Sequence, residues 1–345
     1  MKNARLSLLA GMFAFLAWPA QAQAPTPPAK ESPAPAKQPA KRPAKDAGAK
    51  RMAPPASALP GAGEPDIAFA AFQRGFYVTA FNEANRRVVE GEDPKAMTLL
   101  GELFAGGLGI PRDDKKAAEW YALAAERGDR EAMFQLAMFR LGGRGGPKDP
   151  QAMIDLLKRA AALGHVAAAY DLGLLYLEGH WVDQSFQRAA ELLRQAADAG
   201  SPEAQYALAT LYQEGRGVPK DPQEAARLLG AAALADNTDA QVEYAIAVFN
   251  GTGIGRDEAL AALFFRKAAS KGSPIAQDRL ARILATGRGL PADPVGAVKW
   301  HLIARAGGSS DPWLDEFVAG LTPEQREAGE AAAKPWLVLL QPSRT

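Results

Sequence analysis

The sequence predicts an all-α fold, a solenoid of stacked antiparallel helix hairpins, because small residues recur at one fixed step of 36 residues. Three series of residues keep this step through six copies without insertion: Ala96, Ala132, Ala168, Ala204, Ala240 and Ala276; Gly107, Gly143, Gly179, Gly215, Gly251 and Gly287; and Ala124, Ala160, Ala196, Ala232, Ala268 and Ala304. Since one hairpin cannot bury its apolar face alone, we expect the repeats to share a continuous core.

Each repeat is predicted to be two helices, A and B, joined by a glycine turn. In the first copy, apolar residues at helical spacing predict helix A over residues 94–106. Gly107 follows, where a left-handed residue without a Cβ closes a helix. Asp113 is expected to cap helix B, and an Asp stands at this position in five of the six copies. The register of Trp120 carries a large apolar residue in every copy, which we expect to fill the layer between hairpins.

The two ends of the array are expected to differ from its interior, because terminal repeats must present one face to water. Residues 66–93 resemble a degenerate N-terminal capping hairpin, residues 94–309 hold the six repeats, and residues 310–345 are expected to form C-terminal capping helices. In the last segment, Thr322 and Gln325 have the spacing of a capping box. Four apolar residues there are expected to cover the last repeat: Trp313, Phe317, Trp336 and Leu337.

The N-terminus has the features of a secretory signal peptide over residues 1–22. Lys2 and Arg5 precede an apolar run over residues 6–18, and a small-x-small motif ends at Ala22, where we expect cleavage. An uncleaved anchor is the alternative. Residues 23–65 are mostly Ala, Pro and Lys, so they are predicted to be a disordered, semi-stiff linker. The mature protein is therefore expected to be periplasmic or secreted, without stable membrane insertion.

Composition excludes several classes of function. The 345 residues contain no cysteine, which rules out disulfides, cysteine-ligated zinc and a cysteine nucleophile. The 40 basic and 39 acidic residues leave a formal net charge of +1, which argues against a nucleic-acid partner. The chain therefore has to be interpreted from its repeats.

The repeat pattern resembles the Sel1-like repeat, a relative of the tetratricopeptide repeat. The fourth copy carries the pattern most completely, in Ala204, Leu208, Ala209, Tyr212, Gly215, Gly217, Val218, Asp221, Ala225, Leu228 and Ala232. The resemblance covers residues 94–309 and implies a right-handed superhelix whose concave face is lined by the A helices. It also implies an adaptor or scaffold, since exported bacterial members include a regulator of a sensor kinase and host-interaction factors. Cysteine-rich members reported to bind penicillin are a poor guide to this cysteine-free chain.

Three repeats depart from the pattern. Repeat 3 has His180-Trp181 in its turn and Ser185 at the position of the capping Asp, which predicts an unusual turn. Repeat 4 ends in Asp236 where the other copies have glycine. Repeat 2 has Arg140 at the register of Phe104, Tyr176 and Tyr212.

No constellation of residues indicates catalysis, so the sequence predicts neither an enzyme nor a cofactor or metal. His165, His180 and His301 lie in three registers without a metal-ligand spacing, and each is expected at the surface or in a loop. The Gly-x-Gly turns follow helices and lack the Gly-Lys-Ser/Thr ending of a phosphate loop.

Binding is the remaining function, and the resemblance points to the A helices as its location. The family geometry directs positions equivalent to 95, 98, 102, 105 and 106 inward. The candidate protein-binding residues in repeats 2–4 are Phe134, Met138, Leu141, Tyr170, Leu174, Leu177, Tyr206, Thr210 and Gln213, with Arg140, Glu178 and Glu214 nearby. One hypothesis is an apolar groove with an acidic rim that binds an apolar, partly basic peptide segment. The alternative is a tight superhelix in which these residues pack against each other.

The leading functional prediction is a non-catalytic scaffold or adaptor of the cell envelope that regulates a membrane or periplasmic partner by binding one of its segments. Two alternatives stay open: an enzyme or binder related to peptidoglycan or β-lactams, and a secreted host-interaction factor. The partner is expected to be a protein or peptide, and the sequence leaves the oligomeric state open.

Overall fold

The computed structural model describes residues 66–340, and between these bounds it contains sixteen helices and no strand. Two helices precede the repeats, α1 (Ile67–Gln73) and α2 (Tyr77–Gly91). The repeats supply twelve helices of 13 residues each: α3 (Pro94–Gly106), α4 (Asp114–Glu126), α5 (Arg130–Gly142), α6 (Pro150–Ala162), α7 (Val166–Glu178), α8 (Phe186–Asp198), α9 (Pro202–Glu214), α10 (Pro222–Leu234), α11 (Thr238–Asn250), α12 (Glu258–Ser270), α13 (Pro274–Thr286) and α14 (Pro294–Ala306). The last two are α15 (Pro312–Ala319) and α16 (Pro323–Leu340).

These helices form the right-handed α-solenoid of antiparallel hairpins that the repeat predicts, with odd-numbered helices as helix A and even-numbered helices as helix B of each repeat. The expected signal peptide and linker lie outside the described residues. Among residues 66–340, no helix combines the length and the apolar character that crossing a bilayer requires.

The helix ends follow the predicted capping pattern. Each helix A ends at a left-handed glycine, with φ between 64° and 73°, whose N–H bonds the last turn of the helix. The five predicted Asp caps of helix B accept backbone N–H bonds, as Asp113 does from Lys116 at 3.0 Å. In repeat 3 Ser185 takes this role and accepts from the N–H of Arg188 at 3.3 Å. The hydroxyl of Ser185 therefore caps α8 in place of a carboxylate.

Successive repeats interlock through the second glycine of the turn in five of the six repeats. Gly217 has φ of +73°, and a Cβ at this position would overlap the carbonyl oxygen of Phe186, the first residue of the preceding helix B. Gly109, Gly145, Gly253 and Gly289 are placed in the same way against the first residues of α2, α4, α10 and α12. The turn thus lies directly on the backbone of the preceding repeat, where only hydrogen fits.

The turn of repeat 3 is unusual, as its sequence predicts. Trp181 stands where the other turns have the second glycine, and its backbone is not left-handed. Its indole ring packs edge-on against the His180 ring, with centroids 5.3 Å apart. Repeat 4 replaces the glycine after helix B by Asp236, which keeps the left-handed backbone at φ +74° and pairs with Lys271 at 2.6 Å. A local ion pair therefore accompanies the strained conformation.

The interior is lined by alanine, which lets helices approach closely. Every member of both alanine series is at most 2 % exposed. At the register of Trp120, the large side chains of repeats 2, 4, 5 and 6 are buried, while Trp120 and Leu192 are half-buried. Burial of these side chains between hairpins provides the shared core, because transfer of apolar area out of water is the main stabilising term in folding.

The terminal helices pack on the array at both ends. At the N-terminal end Arg87 of α2 pairs with both Asp66 and Asp93, and Phe81 packs edge-on against Phe104 of repeat 1 at 5.9 Å. At the C-terminal end the predicted capping box is confirmed, since Thr322 and Gln325 exchange hydrogen bonds at 3.2 and 3.3 Å. Trp336 then packs against Trp300 of repeat 6, with ring centroids 5.2 Å apart.

The glycine contact between repeats predicts a stability difference. Gly217→Ala and Gly200→Ala both place a side chain at positive φ, but Gly200 has open space around its Cβ position. The shared backbone strain is about 1–2 kcal/mol. We expect Gly217→Ala to lower the free energy of unfolding by roughly 1–3 kcal/mol more than Gly200→Ala, because the preceding repeat must shift. Urea unfolding followed by circular dichroism measures this, and equal midpoints for the two variants would contradict the interlock.

Candidate protein-binding surface

The A helices of neighbouring repeats meet along one surface, which we call the A face and define by the side chains at positions equivalent to 95, 98, 102, 105 and 106. Between repeats 1 and 2, the Thr98 hydroxyl donates to the carboxylate of Asp129, the cap of α5, at 2.9 Å. Between repeats 2 and 3, Glu131 bonds the ring of His165, the cap of α7, at 3.0 Å. The residue that caps each of these A helices therefore bonds a side chain of the A helix before it.

His165 links helix capping to the A face. Its Nδ1 accepts the backbone N–H of Ala168 at 3.1 Å, so the ring proton belongs on Nε2, which donates to Glu131. The hydrogen bond from His165 lowers the pKa of Glu131. The His165 ring also stacks on Phe134, with centroids 4.6 Å apart. The His165 side chain thus contacts both the predicted site residue Phe134 and the carboxylate of Glu131 beside it.

The predicted site residues differ in how much of each side chain reaches solvent. Two are buried, Leu174 at 3 % and Leu177 at 9 % exposure, so they contribute to packing between repeats. Glu178 and Glu214 are exposed. The others on this face are half-buried: Phe134, Met138, Leu141, Tyr170, Tyr206, Thr210 and Gln213. In repeat 3 the accessible part of the predicted stripe is therefore Tyr170 and Glu178.

Arg140 lies in a different register from the A face. The equivalent Phe104 packs on Phe81 of α2, and the hydroxyl of the equivalent Tyr212 accepts from Arg194 of α8 at 2.9 Å. Both partners lie on the helix that comes just before the repeat in the chain, α2 before repeat 1 and α8 before repeat 4. Arg140 itself is half-buried. The structure therefore separates Arg140 from the other candidate residues.

Carboxyl groups lie on and beside the A face in the first repeats, and burial changes the pKa of two of them. Burial raises the pKa of Glu102 to about 7, and the nearby charges of Glu131 and Asp129 add to this. Burial likewise raises the pKa of Asp171 to about 6, and His165 partly offsets it. Sequence reasoning missed Glu102, although it occupies one of the inward positions by register, and it also missed Asp171, which follows Tyr170 and lies outside those positions.

The three histidines do not share one environment. His301 of α14 is only 2 % exposed, and its Nε2 lies 2.8 Å from the carboxylate of Asp315 on α15. The expectation of a surface or loop position is therefore wrong for His301, because its ring is buried at the C-terminal end of the array, where Asp315 is its polar partner. Within residues 66–340, no group of three His, Asp or Glu side chains is arranged to hold a metal ion.

Comparison with known proteins identifies the family of the repeats. The family model of the Sel1 repeat matches residues 94–129, 130–165, 166–201, 202–237, 238–273 and 274–309, and the chain belongs to the Sel1 repeat family. Proteins of this family are generally protein-interaction scaffolds. Comparison with curated proteins found no match to this chain.

Two solved structures show the same fold. A Sel1 repeat protein from Oxalobacter formigenes is similar with a TM-score of 0.57 and 25 % identity, over 71 % of this chain and 96 % of that one. A protective antigen of uropathogenic Escherichia coli, which displays an SLR fold, is similar with a TM-score of 0.52 and 25 % identity. That match covers 76 % of this chain and 64 % of the antigen.

The raised pKa of Glu102 predicts a pH-dependent stability. The folded chain holds this proton up to about pH 7, whereas the usual value is 4.5, so stability from this group is lost as pH rises between these values. Glu102→Gln stays neutral and removes the loss. We expect it to raise the thermal midpoint at pH 8 but much less at pH 5, by roughly 2–4 °C for each kcal/mol recovered.

Differential scanning calorimetry at both pH values measures this effect. Glu119→Gln, which changes an exposed carboxylate on α4, is the matched control and should leave both midpoints unchanged. An equal shift for Glu102→Gln at pH 5 and pH 8 would show that Glu102 is ionised throughout.

Proposed function

We propose that this chain is an exported, non-catalytic scaffold that binds a peptide segment of a partner protein on the A face of repeats 2–4. Membership of a family of interaction scaffolds supports the general class. The signal-peptide pattern of residues 1–22 supports export to the periplasm or beyond. The regulation of an envelope partner would then follow from occupation of that partner's segment.

A row of three aromatic side chains carries the proposal. Phe134, Tyr170 and Tyr206 occupy one register in three successive repeats and are all half-buried. Aromatic rings offer large apolar area at low conformational-entropy cost, which is why they dominate binding energy at interfaces. Because the array repeats this register, the rings form a strip suited to a segment that lies across several repeats.

The charges beside this row indicate the character of the partner segment. Glu178, Glu203 and Glu214 are exposed, and Glu131 holds a lowered pKa beside Phe134. A carboxylate rim attracts a segment that carries Lys or Arg and repels an acidic one. The segment is therefore apolar on the side that faces the rings and basic at its edges.

A role in contact with a host is the second candidate. It is favoured by the similarity to a protective antigen of uropathogenic Escherichia coli. It differs from the envelope role in the source of the partner and not in the surface that binds it. An enzyme or binder related to peptidoglycan or β-lactams gains no support from the described residues.

Substitution of the aromatic row tests the binding site. Tyr170→Glu together with Tyr206→Glu adds two charges to the strip and should abolish recovery of the partner from the envelope fraction. Leu263→Glu is the matched control, because Leu263 is 58 % exposed on α12 and lies outside the A face. Affinity purification with quantitative mass spectrometry measures recovery, and circular dichroism checks folding. A partner bound equally by all three folded proteins would place the site elsewhere.

Export predicts a defined N-terminus. Cleavage after Ala22 leaves a mature chain that begins at Gln23. Intact-mass analysis of the protein from the producing cell should show this species. Recovery of the full-length chain in the membrane fraction would instead identify the apolar run as a retained anchor.

A further inference from the structure

A cavity of about 340 Å³ lies at the C-terminal end of the A face, in repeats 5 and 6 and against α15. Ile246 and Arg282 in its wall occupy the register of position 102, and Asn250 and Thr286 occupy that of position 106. It therefore belongs to the same surface as the aromatic row. Because the cavity lies in later repeats, none of its lining side chains belongs to the aromatic row.

The apolar part of the cavity is large. Phe265 and Ile283 are buried, Ile246 and Phe249 are half-buried, and Trp313 of α15 is 40 % exposed. Trp313 also stacks on Phe317, with ring centroids 5.8 Å apart, which fixes its orientation. An exposed, immobilised indole beside half-buried aliphatic and aromatic side chains is suited to bind a bulky apolar group.

Three guanidinium groups line the same cavity, and the described residues that line it include no carboxylate, although carboxylates outside the lining bond two of the three arginines. Arg282 bonds Asp311 through Nε and through Nη2, the latter at 2.6 Å, and lies over the Trp313 ring at 5.2 Å. Arg288 bonds Glu258 through Nε and Nη2 and lies over the Phe249 ring at 4.4 Å. In both, the carboxylate fixes the guanidinium and leaves Nη1 available, because each group has five N–H donors.

Arg279 adds a less restrained charge. It is exposed and makes no ion pair among residues 66–340, although its charge acts on the carboxylate of the adjacent Asp278. Arg279 and Arg282 lie three residues apart on α13, and Arg288 lies two residues beyond its end. Several separate guanidinium groups suit a segment with more than one carboxylate better than a single terminal carboxylate.

We infer that this cavity binds an internal acidic segment of a partner protein, in which Asp or Glu side chains flank a large apolar residue. The apolar residue occupies the space beside Trp313 and Phe249, and the carboxylates bond the arginines. This inference goes beyond the proposed site on repeats 2–4, whose carboxylate rim favours the opposite charge. Bidentate bonds from arginine to carboxylate give such a site both affinity and orientation.

Selection from a random peptide library tests the inference without a known partner. Peptides are displayed on phage with both ends fused to the coat protein, so that no peptide has a free C-terminus. They are selected for binding to the full chain. Parallel selections use two variants, each of which reverses the charge of one exposed arginine. Arg279→Glu changes the cavity, and Arg266→Glu, on α12, is the control outside it. The most enriched peptide is then synthesised with a fluorescent label and an amidated terminus, and its Kd is measured by anisotropy.

We expect enriched peptides to carry two or more acidic residues around Phe, Trp, Leu or Ile on the wild type and on Arg266→Glu. The Kd should rise about tenfold with Arg279→Glu and rise in 0.5 M NaCl. It should be unchanged by Tyr170→Glu with Tyr206→Glu, so the outcome is independent of the proposed site on repeats 2–4. Absence of acidic–apolar sequences, equal affinity for Arg279→Glu, or loss of binding in the double tyrosine variant would each overturn the inference.

Discussion

The contact between each turn and the preceding helix B sets the geometry of the whole array. A left-handed glycine such as Gly217 lies on the first residue of that helix, Phe186, at a distance that admits no side chain. The same contact recurs in five of the six turns, so most hairpins stack on the preceding one through the same backbone contact. Equivalent side chains of the A helices then stand in rows, and those rows make a binding surface from residues 36 positions apart in sequence.

The periodic features of the fold were predictable from sequence because each has a local physical cause. The capping Asp residues, the left-handed glycines and the buried alanines act within one or two turns of helix, so a 36-residue step reveals them. A glutamine ladder in the later repeats was not anticipated. Its side-chain amides reach carbonyl oxygens at the end of the preceding helix B, in Gln205, Gln241 and Gln277, and the pairing depends on how far hairpins lean together.

The candidate surface was less predictable, because exposure depends on the curvature of the array. Leu174 and Leu177 have the same helical spacing as Met138 and Leu141, yet packing against neighbours buries the first pair. His301 looks like an ordinary helical residue in sequence, and only the packing of the C-terminal end shows it to be buried and bonded to Asp315. The cavity in repeats 5 and 6 was missed for the same reason, since Trp313 from beyond the repeats completes it.

The structure divides one continuous face into two regions with different side chains. Repeats 2–4 present an aromatic row with exposed glutamates beside it, and repeats 5 and 6 present a cavity lined by apolar side chains and arginines. The positions that hold the fold together are nearly constant through the array, whereas those of the A face change from repeat to repeat. Variation confined to one surface of a regular scaffold is the pattern expected when that surface selects a ligand.

Site-specific photocrosslinking in the native envelope tests this account most directly. A photoreactive phenylalanine analogue at Tyr206, on the A face, should crosslink to a discrete partner protein, and the same analogue at exposed Leu263 on α12 should not. Mass spectrometry of the crosslinked peptide then identifies the bound segment. A partner crosslinked from Leu263 and not from Tyr206 would show that the helix B side, and not the A face, is the binding surface.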